Sequence, residues 1–218
     1  HSFRRVLFRF EYPELCLPAR DWPRVLFYEG QLQCLNKPRV AIVGAREPLP
    51  ETKRWLDRYL VDCLLDYDLT VVSGGARGVD QTAHFSAIRA GKPTAVLLPT
   101  GLRNLYPKEL DLWRESVAQT GGVWLSEYPP NFEIYKSAFH ARNRIIAGLA
   151  HLLFVAEAGL RSGTMITAKW AMQNGVTTAV LPMFPHGEKT RGSLNLINDG
   201  AFGIRDDVDF RVLWDCQL

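Results

Sequence analysis

A membrane protein is the first class this sequence excludes. No apolar run approaches the roughly 18 residues that a spanning helix needs, and no charged leader with an apolar core opens the chain. Cysteine is scarce: Cys16, Cys34, Cys63 and Cys216 are the whole set, with no CxxC pair and no ligand-like cluster. That pattern excludes a disulfide framework and a structural zinc site and points to reduced thiols in a cytoplasmic protein. Nucleotide fingerprints are missing too, because there is neither a GK[ST] phosphate loop nor a GxGxxG turn. No Ser/His/Asp order, Cys–His pairing or metal-ligand spacing stands out, so neither a catalytic group nor a cofactor is expected. The most telling gap is local. Residues 134–156 contain no Asp or Glu, so Lys136, Arg142 and Arg144 have no acidic neighbour in sequence. With Phe139 beside them, these cations suit a polyanion that carries stackable rings, and single-stranded nucleic acid is such a ligand.

What remains is an ordinary soluble composition, 47% hydrophobic and 22% charged in 218 residues, enough for one domain with a substantial core. The formal net charge of +3 is too small to identify a partner; placement of charge matters more. His1 stands where an initiator Met is absent, which suggests a trimmed chain lacking flanking domains. There is no internal repeat and no low-complexity segment.

From residue 39 onward, short β-rich apolar runs alternate with helical patterns. Residues 39–43, 70–72, 94–98, 123–125, 152–155 and 177–181 read as six buried strands. Trp55, Leu56, Tyr59, Leu60, Cys63 and Leu64 recur at helical spacing. Further helices are predicted over about 79–90, from near Pro107, over 145–149 and after Thr164. The alternation predicts an α/β fold, a doubly wound, mostly parallel sheet with helices on both faces. Residues 1–38, with Pro13, Pro18, Pro23 and Pro38, read as an extended lead-in packing on the core, with a short strand at 25–28. Residues 39–203 form the expected ligand-binding domain and 204–218 a C-terminal extension.

In such sheets ligands bind beyond the carboxyl ends of the strands, where helix N-termini offer free N–H groups. Three loops fall there. Gly44-Ala45-Arg46 lets the backbone approach a phosphate and adds a bidentate donor. Ser73-Gly74-Gly75-Ala76-Arg77-Gly78 can expose successive amides as an anion nest. Arg161-Ser162-Gly163-Thr164 opens a helix, where Ser162 or Thr164 either caps the helix or touches a ligand. Phe139 packs the following helix or stacks on a base. Arg142 and Arg144 flank Asn143 and either meet the ligand or hold nearby carbonyls; Arg142 is expected at the ligand and Arg144 to be partly structural. Asp80 and His84, four residues apart, read as a structural pair. Glu127 and Glu157, at strand ends, read as acceptors for neighbouring loops.

Longer motifs then occur in a fixed order: Gly44-Ala45-Arg46, Ser73-Gly74-x-x-x-Gly78-Val79-Asp80, Tyr106-Pro107, Ser126-Glu127-Tyr128-Pro129-Pro130, Phe139-x-x-Arg142-Asn143-Arg144-Ile145-Ile146-Ala147-Gly148-Leu149, Ser162-Gly163-Thr164 and Asn195-Leu196-Ile197-x-x-Gly200-Ala201. The series resembles the DprA/Smf family of bacterial DNA-processing proteins. The resemblance implies an extended Rossmann-like fold that binds single-stranded DNA. It also implies a homodimer that protects incoming strands and loads the RecA recombinase during natural transformation. On that analogy Arg46, Lys136, Phe139 and Arg142 line the strand-binding groove, while the Gly74–Gly78 and Gly163–Thr164 loops take phosphates. Departures from the family pattern are Gly75 and Arg77 in the second loop, Ala45 in place of a hydroxyl residue, and the lack of Pro-Gly near Leu181–Pro185. No winged-helix-like segment follows Leu218, so either a core or a minimal, divergent member is expected. The rival reading is a nucleotide-binding enzyme or sensor of the phosphoribohydrolase kind, with Glu157 and Ser162-Gly163-Thr164 loosely echoing its parts.

Overall fold

The structure, a computed structural model, describes residues 5–8, 13, 21–182 and 187–217. Expectations that fall on Cys16, on Pro18 and on residues 183–185 lie outside the described residues. In chain order the first elements are strands β1 (Arg5–Phe8), β2 (Val25–Gly30), β3 (Arg39–Val43), β4 (Thr70–Ser73), β5 (Thr94–Leu98), β6 (Val123–Ser126), β7 (Leu152–Val155), β8 (Thr177–Val180) and β9 (Phe202–Gly203). They form one sheet in the order β1-β2-β6-β5-β4-β3-β7-β8-β9. All neighbours from β6 to β9 run parallel, whereas β1 and β2, and β2 and β6, pair antiparallel. The segment expected as a lead-in thus contributes two strands to the sheet edge, joined to β3 by a 3-10 turn at Leu32–Asn36.

The helices follow from where the strands hide their side chains. Every residue of β3, β4, β5, β6 and β7 is buried, which requires cover on both faces. Period-2 alternation divides the residues between two cores. Ala41, Val43, Leu153 and Val155 face one cluster; Val40, Ile42, Leu152 and Phe154 face the other. The second cluster is closed by α1 (Pro50–Trp55), a π-helical turn (Leu56–Leu60) and α2 (Val61–Leu65), then by α3 (Val79–Arg89). Trp55, Leu56, Leu60, Cys63 and Leu64 of the expected stripe are all buried there. A 3-10 helix (Lys108–Trp113) and α4 (Arg114–Gln119) cover Val96, Leu98 and Trp124. The first cluster is closed by α5 (Lys136–Leu149), α6 (Gly163–Gln173) and α7 (Arg191–Asn198). Finally α8 (Asp207–Asp215) returns to the second cluster, capped by Asp206, which accepts the Asp209 N–H at 3.1 Å. Phe210 and Trp214, both fully buried, make residues 204–217 part of the core packing.

One expected element is corrected. Phe139–Arg144 is helix, not a loop leading into one, because α5 begins at Lys136. Its buried positions are Ala138, Arg142, Ile145, Ile146, Ala147, Gly148 and Leu149, and Ala138, Arg142, Ile145 and Leu149 form a helical stripe in which one member is a cation.

Among the described residues no helix is long and apolar enough to cross a membrane. Cys34 and Cys63 are buried free thiols, each pushed up to about 12, chiefly by burial.

Candidate nucleic-acid interface

The chain leaves β3 for β4, β5 and β6 on one side and then crosses back to β7 on the other. β3 is therefore the topological switch point, where open α/β sheets form a crevice at their carboxyl edge. The β3–α1 loop, the β4–α3 loop, the β7–α6 junction and the first turns of α5 converge there. Hydrogen bonds to backbone carbonyls hold them. The Val79 N–H donates to the Ala45 carbonyl at 3.1 Å, the Thr164 hydroxyl to the Gly44 carbonyl at 3.0 Å, and the Asn143 amide to the Gly163 carbonyl at 3.3 Å. Gly78, at φ +81°, lies so close to the first loop that a Cβ would sit 2.4 Å from the carbonyl oxygens of Ala45 and Arg46. Ser162 caps α6, accepting the Met165 N–H at 3.3 Å.

Between these elements lies a cleft of about 570 Å³. Its cationic lining residues are Arg46, Lys136 and Arg142, against one carboxylate, Asp80. Arg46 lies 5.2 Å above the Phe139 ring, and the Tyr106 ring meets Phe139 edge-on at 6.0 Å. Arg46 and Lys136 are exposed and Phe139 half-buried, so a ring and two exposed cations border the opening.

Arg142 forms the floor. Only 5% of its surface is exposed, and its Nε and Nη1 have no hydrogen-bond partner among the described residues. Asp80 Oδ2 stands 3.9 Å from Nη1, in ion-pair range but without a hydrogen bond. The guanidinium occupies the space a side chain at 74 would take: a Cβ on Gly74 would fall 1.2 Å from Nη1. Burial lowers the Arg142 pKa, with Asp80 acting against that and Arg46 adding to it. Burial likewise lifts Asp80 to about 6, opposed by Arg142 and by the amides of Ala76 and Gly74. A cation this buried with idle donors is costly unless an acceptor completes it. A phosphate oxygen supplies such an acceptor.

The model of the family described as DNA recombination-mediator protein A matches residues 5–212. The chain belongs to that family. Protein Smf of Synechocystis is 39% identical over 195 residues, 88% of this chain and 48% of that protein. DNA processing protein DprA of Streptococcus pneumoniae is 38% identical over 190 residues, 87% of this chain and 66% of that one. The structure of DNA processing protein A from Helicobacter pylori, described for its unique single-stranded DNA binding mode, superposes with a TM-score of 0.85 at 30% identity. That match covers 99% of this chain and 98% of the other. The chain spans about half to two thirds of the length of these two curated relatives.

In this member of the DNA recombination-mediator family, the cleft brings together Arg46, Lys136, Phe139, Arg142, Asn143, Ser162, Gly163 and Thr164. Gly74 and Arg77 border an adjoining hollow of about 180 Å³ that shares Arg46, Phe139 and Arg142 with it. Arg77 is exposed and paired with Glu109 at 2.7 Å, and this partner holds the Glu109 carboxyl at about 2. Three glycine-loop positions lie behind the surface. The Ser73 hydroxyl donates to the Ile42 carbonyl at 2.6 Å, Gly75 packs beneath Leu110, and Gly78 abuts the first loop. Arg144 lines neither hollow; it is doubly bonded to Glu127 at 2.6 and 2.9 Å and donates to the Asp21 and Ala141 carbonyls. Asp80 and His84 do not act as a pair, since His84 Nδ1 meets the Thr94 hydroxyl at 2.7 Å. Glu157 Oε2 accepts from the Leu49 N–H at 2.8 Å and the Thr52 hydroxyl at 2.6 Å, a loop-holding role.

Sequence reasoning left out His140, Ile146 and Thr167, which also border the cleft, and Asp80 as the neighbour of Arg142. Thr167 carries the one available signal, standing one helical turn after Gly163 on α6. The rest depend on α5 being helical from Lys136.

Proposed function

We propose that this chain binds single-stranded DNA in the switch-point cleft and acts as a recombination mediator, without catalysing a reaction on the strand. The observation that carries the reading is the buried Arg142 guanidinium, its donors idle, on the floor of a cleft whose rim is Arg46, Lys136 and Phe139. Phosphates meet the cations and the N-terminal N–H groups of α6, while a base stacks on Phe139 at roughly 1–3 kcal/mol. A paired duplex offers no base face to such a ring, so the site favours unpaired strands. Membership of the DNA recombination-mediator family supports the assignment, as does the 30% identical Helicobacter pylori protein described for single-stranded DNA binding. On the same reading the protein works as a cytoplasmic homodimer, protecting incoming strands and loading RecA during natural transformation.

The carboxylate and histidine nearest the floor favour binding over catalysis. Asp80 is buried against Arg142, and His84 is fully buried behind it. Glu157, which the phosphoribohydrolase-like alternative needs in the cleft, is held by Leu49 and Thr52.

Titration of oligo-dT by fluorescence anisotropy at several salt concentrations tests the proposal. The expected result is binding that weakens as salt rises, through counterion release, with Arg46→Ala plus Arg142→Ala weakening it and flattening the slope. Undetectable or salt-independent binding, or turnover of nucleoside monophosphates, refutes it. Capture of RecA with and without single-stranded DNA tests the loading role.

A further inference from the structure

Beyond the cleft, the Tyr106-Pro107 motif borders a third hollow of about 530 Å³. It shares Ile134 with the main cleft and Tyr106 with the small hollow beside Arg46. The three hollows therefore adjoin one another, and the edge-to-face pair of Phe139 and Tyr106 stands where they meet. The chemistry of the two ends differs. The main cleft sets Arg46, Lys136 and Arg142 against Asp80 alone, whereas the third hollow balances Arg103 and Lys108 with Asp111 and Glu133. Its remaining lining is Thr100, Asn104, Leu105, Tyr106 and Ile134, a hydroxyl, an amide and three apolar surfaces. Thr100 is 1% exposed, and its hydroxyl has no hydrogen-bond partner among the described residues. Tyr106 and Ile134 are 44% and 40% exposed.

The hollow is also preformed. The Gly101 N–H donates to the Phe132 carbonyl at 3.0 Å and the Arg103 N–H to the Pro130 carbonyl at 2.9 Å. The Asn104 amide donates to the Asn131 carbonyl at 2.8 Å. A Cβ on Gly101 would lie 2.1 Å from the Pro129 carbonyl oxygen, so the two loops touch backbone to backbone. Tyr128 and Phe132 stack at 4.2 Å on that same turn. Little ordering is left for a ligand to impose.

We infer that this hollow is a second nucleobase subsite, taking an unpaired base of the same DNA strand onto Tyr106 while the strand's phosphates stay in the main cleft. Charge balance disfavours a phosphate there, and an exposed ring in a hollow that also holds a hydroxyl and an amide suits a base. The inference rests on the proposed single-stranded DNA binding.

A dT oligonucleotide carrying single 5-iododeoxyuridine substitutions, photocross-linked to the unaltered protein and mapped by mass spectrometry, tests it without any variant. Cross-linking on Tyr106 is expected from one position of the strand. At that position an abasic site, or Tyr106→Ala at fixed salt, should weaken binding between about fivefold and a hundredfold. The two losses should not add, and the salt slope should stay unchanged. Tyr106→Trp should bind as tightly as the parent. An oligonucleotide that binds with normal salt dependence yet cross-links only at Phe139, with Tyr106→Ala silent, overturns the subsite and leaves the cleft reading intact. Loss in Tyr106→Ala that adds fully to the abasic loss overturns it as well, because the ring would then act through Phe139. Failure of the parent protein to bind the strand removes both readings.

Discussion

Replacing Gly74 by alanine is expected to evict the Arg142 guanidinium from the floor of the cleft. The added Cβ would stand 1.2 Å from Nη1, 2.3 Å from Cζ and 2.7 Å from Nη2, where ordinary contact begins near 3.4 Å. The guanidinium must retreat by about 2 Å, the difference between 3.4 and 1.2 Å. Gly74 is not one of the glycines with positive φ, so the substitution acts by volume and not by backbone strain. Overpacking of this kind costs about 1–3 kcal/mol. In a domain of this size that lowers the melting temperature by roughly 2–12 °C. On DNA the variant should bind oligo-dT more weakly, with a salt slope smaller by about one, as when a single phosphate contact is lost. The decisive measurement is a double-mutant cycle read by thermal melting and anisotropy. In an Arg142→Ala background the Cβ has nothing to displace, so Gly74→Ala should cost less than about 0.5 kcal/mol. Full cost in that background, or parental affinity and slope in the single variant, would refute the assignment of Gly74 as the seat of the guanidinium.

Other outcomes follow from the same geometry. Asp80 has a folded pKa of about 6 against an ordinary 3.8, so its contribution to stability is full below pH 3.8 and lost as pH rises through 6. Asp80→Asn should abolish that dependence, on the order of 3 kcal/mol in denaturant titrations between pH 4 and 7. His84 runs the other way: held near 3 against 6.5 by burial and then by Arg142, it stabilises the fold above pH 6.5 and ceases to as pH falls toward 3, so His84→Asn should flatten acid unfolding. Glu109→Gln releases Arg77 and should tighten oligo-dT binding while steepening its salt slope by up to about one; unchanged titrations would place Arg77 off the strand's path. Arg144→Ala strips Glu127 of two short bonds in a half-buried pair and should cost about 1.5–3 kcal/mol of stability, with the salt slope of DNA binding unmoved.

The central strands were legible because their side chains are buried on both faces and must be apolar throughout. Residues 39–43, 94–98 and 152–155 coincide with β3, β5 and β7. The start of α5 was hidden for a chemical reason. Its buried stripe passes through Arg142, and a cation on that stripe breaks the apolar period by which a helix is read. The residue that obscured the helix is the one that builds the cleft floor. Side-chain partnerships were legible only where motif and geometry coincide. Ser162 sits at a capping position that its spacing announces, whereas the Arg144–Glu127 and Arg142–Asp80 pairs join separate elements and leave no mark in local sequence.

The cleft is bounded by segments far apart along the chain. The Thr164 hydroxyl reaches the Gly44 carbonyl across 120 positions. Because β3 acquires its second neighbour only with β7, closing this contact spans a long stretch of chain and is entropically costly. A nascent chain paused before β7 would carry β3, β4, their glycine loops and α5, but not the β7–α6 junction that supplies Ser162, Gly163 and Thr164. The cleft therefore closes only once β7 and α6 stand beside β3, with β8 and β9 still to follow in the chain.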